Sequence, residues 1–286
     1  MNRNIMLLFF IIVSWGYSWV LMKQALNYMD PFTFGALRNS LGALCLIPFI
    51  YKKSSFNFSN LTNFNYAVIG FFQTFVMFSL IIYGMKFVTA GKTSVVLYTM
   101  PVWTSIFLHF FLKEKLSRKK WIGILFGIIG ILFILGWDIL AKQNIKILFG
   151  ELLILMAAVS WAAANIWNRK KLSKHSSFVV NGYQLTIGSI LLIILSVSTE
   201  GFFIVDWNYY SIFIILFTGI IASAINFSIW FSLINKMDIN VTTFSSLLVP
   251  VFGLIFDWAI LGTKLDIGLI VGGIFILLGI YKISKK

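Results

Sequence analysis

Chemically reactive residues are scarce in this chain of 286 residues, which has one cysteine, two histidines and nine acidic residues. Cys45 is the single cysteine, so no disulfide can form within the chain. The two histidines, His109 and His175, are far apart in the sequence and form no metal-binding motif. We find no H-E-x-x-H, no G-x-S-x-G and no paired acids. These absences disfavour an intramembrane enzyme and predict no metal and no other cofactor.

Charged residues are also few, at 11% of the chain, and two further functional signatures are missing. The chain has no P-loop, so ATP is not expected to drive it directly. A channel would be expected to carry a ring of charged residues or a carbonyl filter sequence, and neither is visible. Channel function is nevertheless harder to exclude than enzymatic function.

Apolar residues, in contrast, make up 59% of the chain, and the mean hydropathy is +0.93. A membrane-crossing helix needs roughly 20 mostly apolar residues. The sequence therefore predicts an all-α polytopic membrane protein in which little chain is left for a soluble domain. We predict ten spans, at about 5–23, 33–51, 64–84, 92–112, 120–137, 149–168, 179–198, 210–234, 241–262 and 266–283.

The distribution of basic residues predicts the orientation of these spans. The net charge of +14 could indicate nucleic acid as a partner, but the lysines and arginines concentrate in the loops of one side. This asymmetry is the positive-inside pattern of membrane proteins. We therefore expect a multi-pass protein of the plasma (cytoplasmic) membrane with both termini in the cytoplasm, a lipid bilayer as its environment and no nucleic acid.

The second half of the chain repeats the first. In a gapless overlay at an offset of 149 residues, Pro101 aligns with Pro250 and Gly130 with Gly279. Near span one the offset is 146, where V-S-W-G-Y-S-W from Val13 is answered by V-S-W-A-A-A-N from Val159. The predicted domains are accordingly 1–142 and 143–286, each with five helices.

Because five is an odd number, the second repeat must cross the membrane in the opposite sense from the first. Loop charge agrees: the turn Lys113–Lys120 has five basic residues, while its counterpart Gly262–Leu269 has only Lys264. Inverted repeats supply two pseudo-equivalent conformations, one open to each side. The pattern therefore predicts a 5+5 fold that transports solutes by alternating access.

Polar and aromatic residues recur at helical spacing on spans one, three, four, six, eight and nine. Such faces either pack helices together or line a cavity, and we favour a cavity. The predicted substrate-binding residues are Trp15, Ser18, Gln73, Tyr83, Tyr98, Trp103, Trp161, Asn165, Asn226, Trp230 and Ser246.

Spans four and nine are predicted to break at their prolines. Pro101 has no amide to donate to the carbonyl of Leu97, and Pro250 has none for the carbonyl of Ser246. Breaks at equivalent positions of two repeats are typical of transporter binding sites.

Two opposite charges lie inside predicted spans. Arg38 and Asp257 are each about five residues from the outer end, or about 7–8 Å deep at 1.5 Å per residue. Arg38 could extend to the headgroups, and the two could form a structural ion pair. Alternatively, Asp257 binds a coupling proton or a cationic solute; its counterpart in the other repeat is Leu108.

Spans five and ten carry glycines spaced for close packing and no strongly polar group. We interpret these spans as outer scaffold helices or as a dimer contact, so the chain is expected to be a monomer or a homodimer.

These features together resemble the EamA family of the drug/metabolite transporter superfamily, over nearly the whole chain. The resemblance rests on P-F-T-F-G-A-L-R-N-S-L-G-A from Pro31, T-A-G-K-T-S-V-V from Thr89, the two prolines and the duplication. The family has a glutamate in both basic turns; here Glu114 fills the first and Thr263 stands in the second.

The resemblance implies a secondary transporter with a central cavity between the halves. We therefore expect a small-molecule substrate, export of amino acids or similar metabolites, and coupling to protons or to the solute gradient alone. The alternatives are a multidrug or cation exporter, a metabolite importer of the same fold, and less favoured, a channel or an enzyme.

Overall fold

The computed structural model describes residues 3–53, 61–113, 117–137, 144–201, 204–246, 248–264 and 267–284. Within these ranges the chain is almost entirely helical, and its one β feature is an isolated bridge between Met29 and Val205. The α-helices are α1 Arg3–Ala25, α2 Pro31–Lys53, α3 Leu61–Ile69, α4 Met77–Gly84, α5 Ala90–Leu97, α6 Met100–Leu112, α7 Arg118–Trp137, α8 Ile145–Trp167, α9 Ser177–Glu200, α10 Tyr209–Leu216, α11 Asn226–Lys236, α12 Ile239–Ser245, α13 Leu248–Leu261 and α14 Ile267–Ser284.

Among the described residues, seven helical segments are long and apolar enough to cross a membrane. Three shorter apolar helices, Trp121–Gly130, Leu248–Leu261 and Ile267–Gly279, fall in the predicted spans five, nine and ten. Large apolar side chains cover the outer surface, among them Leu44, Phe110 and Trp258. Apolar surface of this extent fits hydrocarbon as solvent, so the protein is an all-helical, multi-pass membrane protein.

Two helices are interrupted just before a proline. The helix of span four ends at Leu97 and resumes as α6 at Met100, where the Thr99 hydroxyl donates to the carbonyl of Val96 at 2.8 Å. The helix of span nine ends at Ser245 and resumes as α13 at Leu248, where the Ser246 hydroxyl donates to the carbonyl of Thr243 at 2.7 Å. Hydroxyls thus bond carbonyls that the interruption exposes.

Wider π-helical turns join α3 to α4 and α10 to α11, at Gly70–Val76 and Phe217–Ile225. Both segments approach another helix closely through a glycine. A Cβ at Gly219 would lie 2.9 Å from the carbonyl oxygen of Arg38 on α2, and one at Gly70 would lie 3.2 Å from that of Gln184 on α9. These contacts bring the beginning of each π-helical segment against a neighbouring span.

The helices pack in reciprocal pairs. Helix α2 packs on α9 and α7 on α14, while α1 packs on α13 and α8 on α6. A single buried core unites most of them, and it includes Trp15, Tyr98, Trp161 and Trp230. The centre of the protein, where α1, α4, α8 and α11 meet, is therefore aromatic.

The N-terminus of α2 is capped by a residue from the other half of the sequence. The Glu200 carboxylate accepts from the amides of Phe32 at 2.8 Å and Thr33 at 2.7 Å. A carboxylate satisfies free amides there and also interacts favourably with the helix dipole. This contact holds α2 and α9 together at one end.

The packing of α7 on α14 predicts different tolerance at two glycines of α14. A Cβ at Gly279 would lie 2.5 Å from the Gly123 carbonyl oxygen, whereas one at Gly273 would meet nothing within 4 Å. We expect Gly279→Ala to lower the melting temperature in detergent, since overpacking costs about 1–3 kcal/mol. The matched control Gly273→Ala should leave it unchanged or slightly raised, because alanine favours helix. Equal melting temperatures for the two variants would contradict this packing.

Candidate functional site

A small cavity of about 30 Å³ lies at the centre of the protein, where α1, α2, α4, α5, α8 and α11 meet. One water needs roughly 10–15 Å³ of such space, so in this conformation the cavity is nearly closed and too small for an organic solute. We call it the central cavity, and its lining consists of Trp15, Ser18, Trp19, Met22, Arg38, Met77, Phe78, Ile81, Leu97, Tyr98, Trp161 and Phe227.

Four of the residues predicted to bind substrate lie in this lining. Trp15 and Ser18 come from α1, Trp161 comes from α8, and Tyr98 lies in the interruption between α5 and α6. Because the helix stops at Leu97, the chain turns at Tyr98 and brings its ring against Trp161, with ring centroids 5.5 Å apart. The break before Pro101 therefore contributes directly to the cavity wall.

Three tryptophans, Trp15, Trp161 and Trp230, form a mutually contacting cluster at the cavity. The ring centroids of Trp15 and Trp161 are 5.8 Å apart, and each lies 5.7 Å from Trp230. Contacts of this kind stabilise aromatic pairs beyond the area they bury. The Trp15 indole donates to the carbonyl of Ala222 at 2.9 Å, whereas the buried indole N–H of Trp161 has no partner among the described residues.

Asn165, Asn226 and Trp230 lie behind the lining and bond across helices. The Trp230 indole donates to Asn165 Oδ1 at 3.1 Å, and Asn226 Nδ2 donates to Ser14 Oγ at 2.8 Å. All three side chains are fully buried. Their polar groups thus hold α1, α8 and α11 together, a packing role that the helical spacing alone could not distinguish from cavity lining.

The remaining predicted residues also lie outside the lining. Gln73 is buried in the π-helical segment after α3, and Ser246 bonds within its own interruption. Trp103 packs half-buried on α6. Tyr83 is 36% exposed and stacks on Phe32 with centroids 5.7 Å apart. None of the four reaches the central cavity in this conformation.

Arg38 points inward instead of toward the surface. Its side chain is only 2% exposed, its Nε donates to Ser223 Oγ at 3.0 Å, and its Cζ lies 4.5 Å from the centre of the Phe78 ring. Ser223 in turn donates to the carbonyl of Thr218, five residues earlier, at 2.9 Å. The π-helical segment and one aromatic face therefore fix the guanidinium at the cavity wall.

Asp257 is engaged elsewhere, so the ion pair considered from depth alone is not formed between these two described residues. Its Oδ2 accepts from the Gly91 amide at 2.9 Å and its Oδ1 from the Thr263 hydroxyl at 3.2 Å. Gly91 is in the first turn of α5, so the carboxylate caps that helix. Equal depth in the membrane does not decide which way two side chains point around their helix axes.

A buried ion pair was missed by the sequence reasoning, which singled out Asp257 as the one acid well inside a span. Lys92 Nζ lies 3.0 Å from Glu151 Oε1, and both side chains are almost fully buried. Spacing could not reveal the pair because its members lie on different helices, α5 and α8. Trp19 could have been found, since it lies four residues after Trp15 on the same helix face.

Comparison with known proteins agrees with this architecture. The sequence model of the EamA-like transporter family matches residues 2–136 and again residues 148–285. Glu114, which the family pattern singled out, lies outside the described residues. A solved crystal structure superposes over 99% of this chain and 97% of its own, with a TM-score of 0.72 at 18% sequence identity, which is a likeness of fold.

Among the relatives, an uncharacterised transporter of Bacillus subtilis, YoaV, is 34% identical over 93% of this chain and 91% of its own length. A probable amino-acid metabolite efflux pump of Salmonella typhimurium is 31% identical over 95% and 91%. A protein of the same description in Escherichia coli is 30% identical over 95% and 91%. With both halves matched and relatives aligned over nearly their whole length, the chain belongs to the EamA-like transporter family.

Proposed function

We propose that the protein is a secondary transporter that exports small organic metabolites, amino acids or similar solutes, across the plasma membrane. Transport proceeds by alternating access between two inverted five-helix repeats, residues 1–142 and 143–286, with both termini in the cytoplasm. The observation that carries the proposal is a set of contacts that recur, residue for residue, in the two repeats.

The first recurring contact lies between a glycine and a π-helical segment. A Cβ at Gly42 on α2 would lie 3.0 Å from the carbonyl oxygen of Gly219, and one at Gly188 on α9 would lie 3.0 Å from that of Gly70. Gly188 follows Gly42 by 146 residues and Gly219 follows Gly70 by 149, the two offsets of the repeat. The same contact between a glycine and a carbonyl oxygen is therefore present once in each repeat.

The second recurring contact is a cation on the end of a helix. Lys23 Nζ donates to the carbonyl of Met85 and, at 3.0 Å, to that of Val88, beyond the end of α4. Its counterpart Arg169 donates to the carbonyl of Ile234 and lies 3.5 Å from that of Met237, at the end of α11. A cation at a helix C-terminus bonds free carbonyls and interacts favourably with the negative end of the helix dipole.

These two cation–helix contacts, the Lys23 clamp and the Arg169 clamp, lie at opposite faces of the membrane in the proposed orientation. Lys23 follows span one on the outer side, and Arg169 follows span six on the inner side. Each joins the first helix of a repeat to the third. A transporter needs a contact of this kind at each end, made on the closed side and broken on the open side.

The cavity favours a metabolite over the alternative of a cationic drug. Its walls are mainly aromatic and aliphatic, its fixed charge is the cation of Arg38, and no described acidic side chain lines it. Two of the relatives are described as probable amino-acid metabolite efflux pumps, which supports a solute of this class. Asp257 lies outside the lining, so proton coupling through it would act on the α5 cap and not on the solute.

The transport proposal predicts counterflow of labelled amino acids in proteoliposomes containing the protein. Trp161→Ala should lower the initial rate about tenfold or more, because it removes a cavity wall, while Trp258→Ala should leave it unchanged. Trp258 is 64% exposed on the outer surface and controls for the loss of a large ring. A repeat with an imposed pH gradient tests proton coupling. Absence of counterflow for every amino acid would eliminate this substrate class.

The clamps predict opposite effects on access to the cavity. In a Cys45→Ser background with Ser18→Cys as a reporter, Lys23→Met should increase labelling by an impermeant maleimide from outside, and Arg169→Met should decrease it. A cation on a helix end contributes about 1 kcal/mol, which corresponds to about fivefold in the equilibrium. Changes of the same sign in both variants would exclude paired clamps at opposite faces.

The inverted orientation has its own test. Single cysteines at Arg118 and at Lys264, in the equivalent turns of the two repeats, are expected to react from opposite compartments, the first from the cytoplasm and the second from outside. Both residues are exposed, so each site is accessible to reagent. Reaction of both from the same side would mean that the repeats are parallel.

A further inference from the structure

Arg38 is a buried cation without a counter-ion. Its side chain is 2% exposed, and among the described residues its contacts are a neutral hydroxyl and two aromatic rings, with no carboxylate near enough for an ion pair. Burying a charge in a low-dielectric site is costly unless an opposite charge compensates it. The guanidinium has therefore been placed where an anion from outside the protein would be bound strongly.

The unsatisfied polar atoms of the cavity wall are all hydrogen-bond donors. They are the Nη1 of Arg38 and the indole N–H groups of Trp19 and Trp161, each buried and without a partner in the described part of the chain. An indole N–H can only donate, and so can a guanidinium. A wall with free donors and one positive charge is complementary to an oxyanion.

The other repeat shows that this charge is not needed to build the fold. The residue that corresponds to Arg38 is Gln184, on α9. Both positions contact the glycine of a π-helical segment through their carbonyl oxygens, but Gln184 donates to Asn181 Oδ1 at 2.8 Å and is absent from the cavity wall. Both repeats have the contact between this backbone carbonyl and the glycine, but only the first repeat has a cation at the position.

We propose that Arg38 binds the carboxylate of the transported solute, and that the solute is a small carboxylate with an apolar or aromatic body. This inference rests on the proposed transport function and specifies its substrate class. The carboxylate takes the free donors of the guanidinium, which form a strong, charge-assisted pair with such a group. The cavity widens to admit the solute, and the body of the solute then packs against the rings of Trp15, Tyr98 and Trp161.

Binding, measured apart from transport, tests the inference with matched ligands. The melting temperature of the detergent-purified protein is followed against 3-phenylpropionate and against its neutral amide, and likewise against phenylalanine and phenylalaninamide. Ligands that bind the folded state raise the melting temperature. Each carboxylate should bind about 10–100-fold more tightly than its amide, as expected for hydrogen bonds to a charged group.

The variant Arg38→Gln installs the residue that the other repeat carries. It should remove the preference for carboxylates over amides without lowering the melting temperature of the ligand-free protein, because an uncompensated buried charge is lost. Lys86→Gln is the control: it removes an exposed positive charge that lies 5.6 Å from the centre of the Tyr83 ring and should leave both properties unchanged. Arg38→Lys should retain part of the preference, since it keeps the charge but not the planar pair of donors.

Equal binding of acid and amide by the unmodified protein, or no binding of either, would overturn the inference, and so would a carboxylate preference that survives Arg38→Gln. If the glutamine variant does not fold, the comparison of acid with amide on the unmodified protein decides alone. Counterflow of neutral solutes by a protein that shows no carboxylate preference would refute the role of Arg38 and leave the transport proposal standing. Carboxylate-selective binding without any counterflow would support the role of Arg38 and contradict the transport proposal.

Discussion

Hydrocarbon offers no partner for a hydrogen bond, so polar groups inside this protein must find their partners within it. That constraint explains the details of the two interrupted helices. A proline leaves the carbonyl of the preceding turn without its amide, and the hydroxyls of Thr99 and Ser246 bond neighbouring carbonyls at these sites. It also explains why the asparagines of α8 and α11 bond to side chains on other helices. Some of the polar residues that the sequence pattern predicted to line a cavity instead form hydrogen bonds that hold the surrounding helices together.

The same constraint makes exceptions informative. Buried donors without partners are rare in folded proteins, and here three of them, on Trp19, Arg38 and Trp161, belong to the wall of one cavity. The indole N–H groups of Trp15 and Trp230, which belong to the same aromatic cluster, are paired. The difference between Trp15 and Trp161 is especially clear because they are equivalent residues of the two repeats: one indole donates to a carbonyl and the other has no partner among the described residues.

Much of this arrangement could be predicted from the sequence. Hydropathy predicted a helical membrane protein, and the matched V-S-W segments of spans one and six placed Trp15 and Trp161 together at the centre. The partners of charged side chains could not be predicted, because a linear pattern gives depth but not the direction of a side chain around the helix axis. Arg38 and Asp257 have the same depth and different partners. Lys92 and Glu151 pair across helices that no spacing rule connects. The π-helical turns beside Gly70 and Gly219 leave no signal of their own in the hydrophobic pattern.

Duplication gives a frame that is symmetric, whereas recognition of a solute requires differences between the halves. The contacts that we propose to alternate during transport are present in both repeats. They are the close contacts between glycines and carbonyl oxygens, and the two clamps. The charged groups that distinguish the repeats occur only once: the residue that corresponds to Arg38 is Gln184, and the residue that corresponds to Asp257 is Leu108. Because a symmetric pair of cations in one small cavity would repel each other and hold two anions, one arginine suits a solute with one carboxylate. The chemistry of the lining would also suit an amino acid once the cavity widens, since its ammonium group can lie against the aromatic rings, which attract cations. In the proposed mechanism, this division of roles would let the symmetric frame change conformation in both directions while the binding site keeps one chemistry.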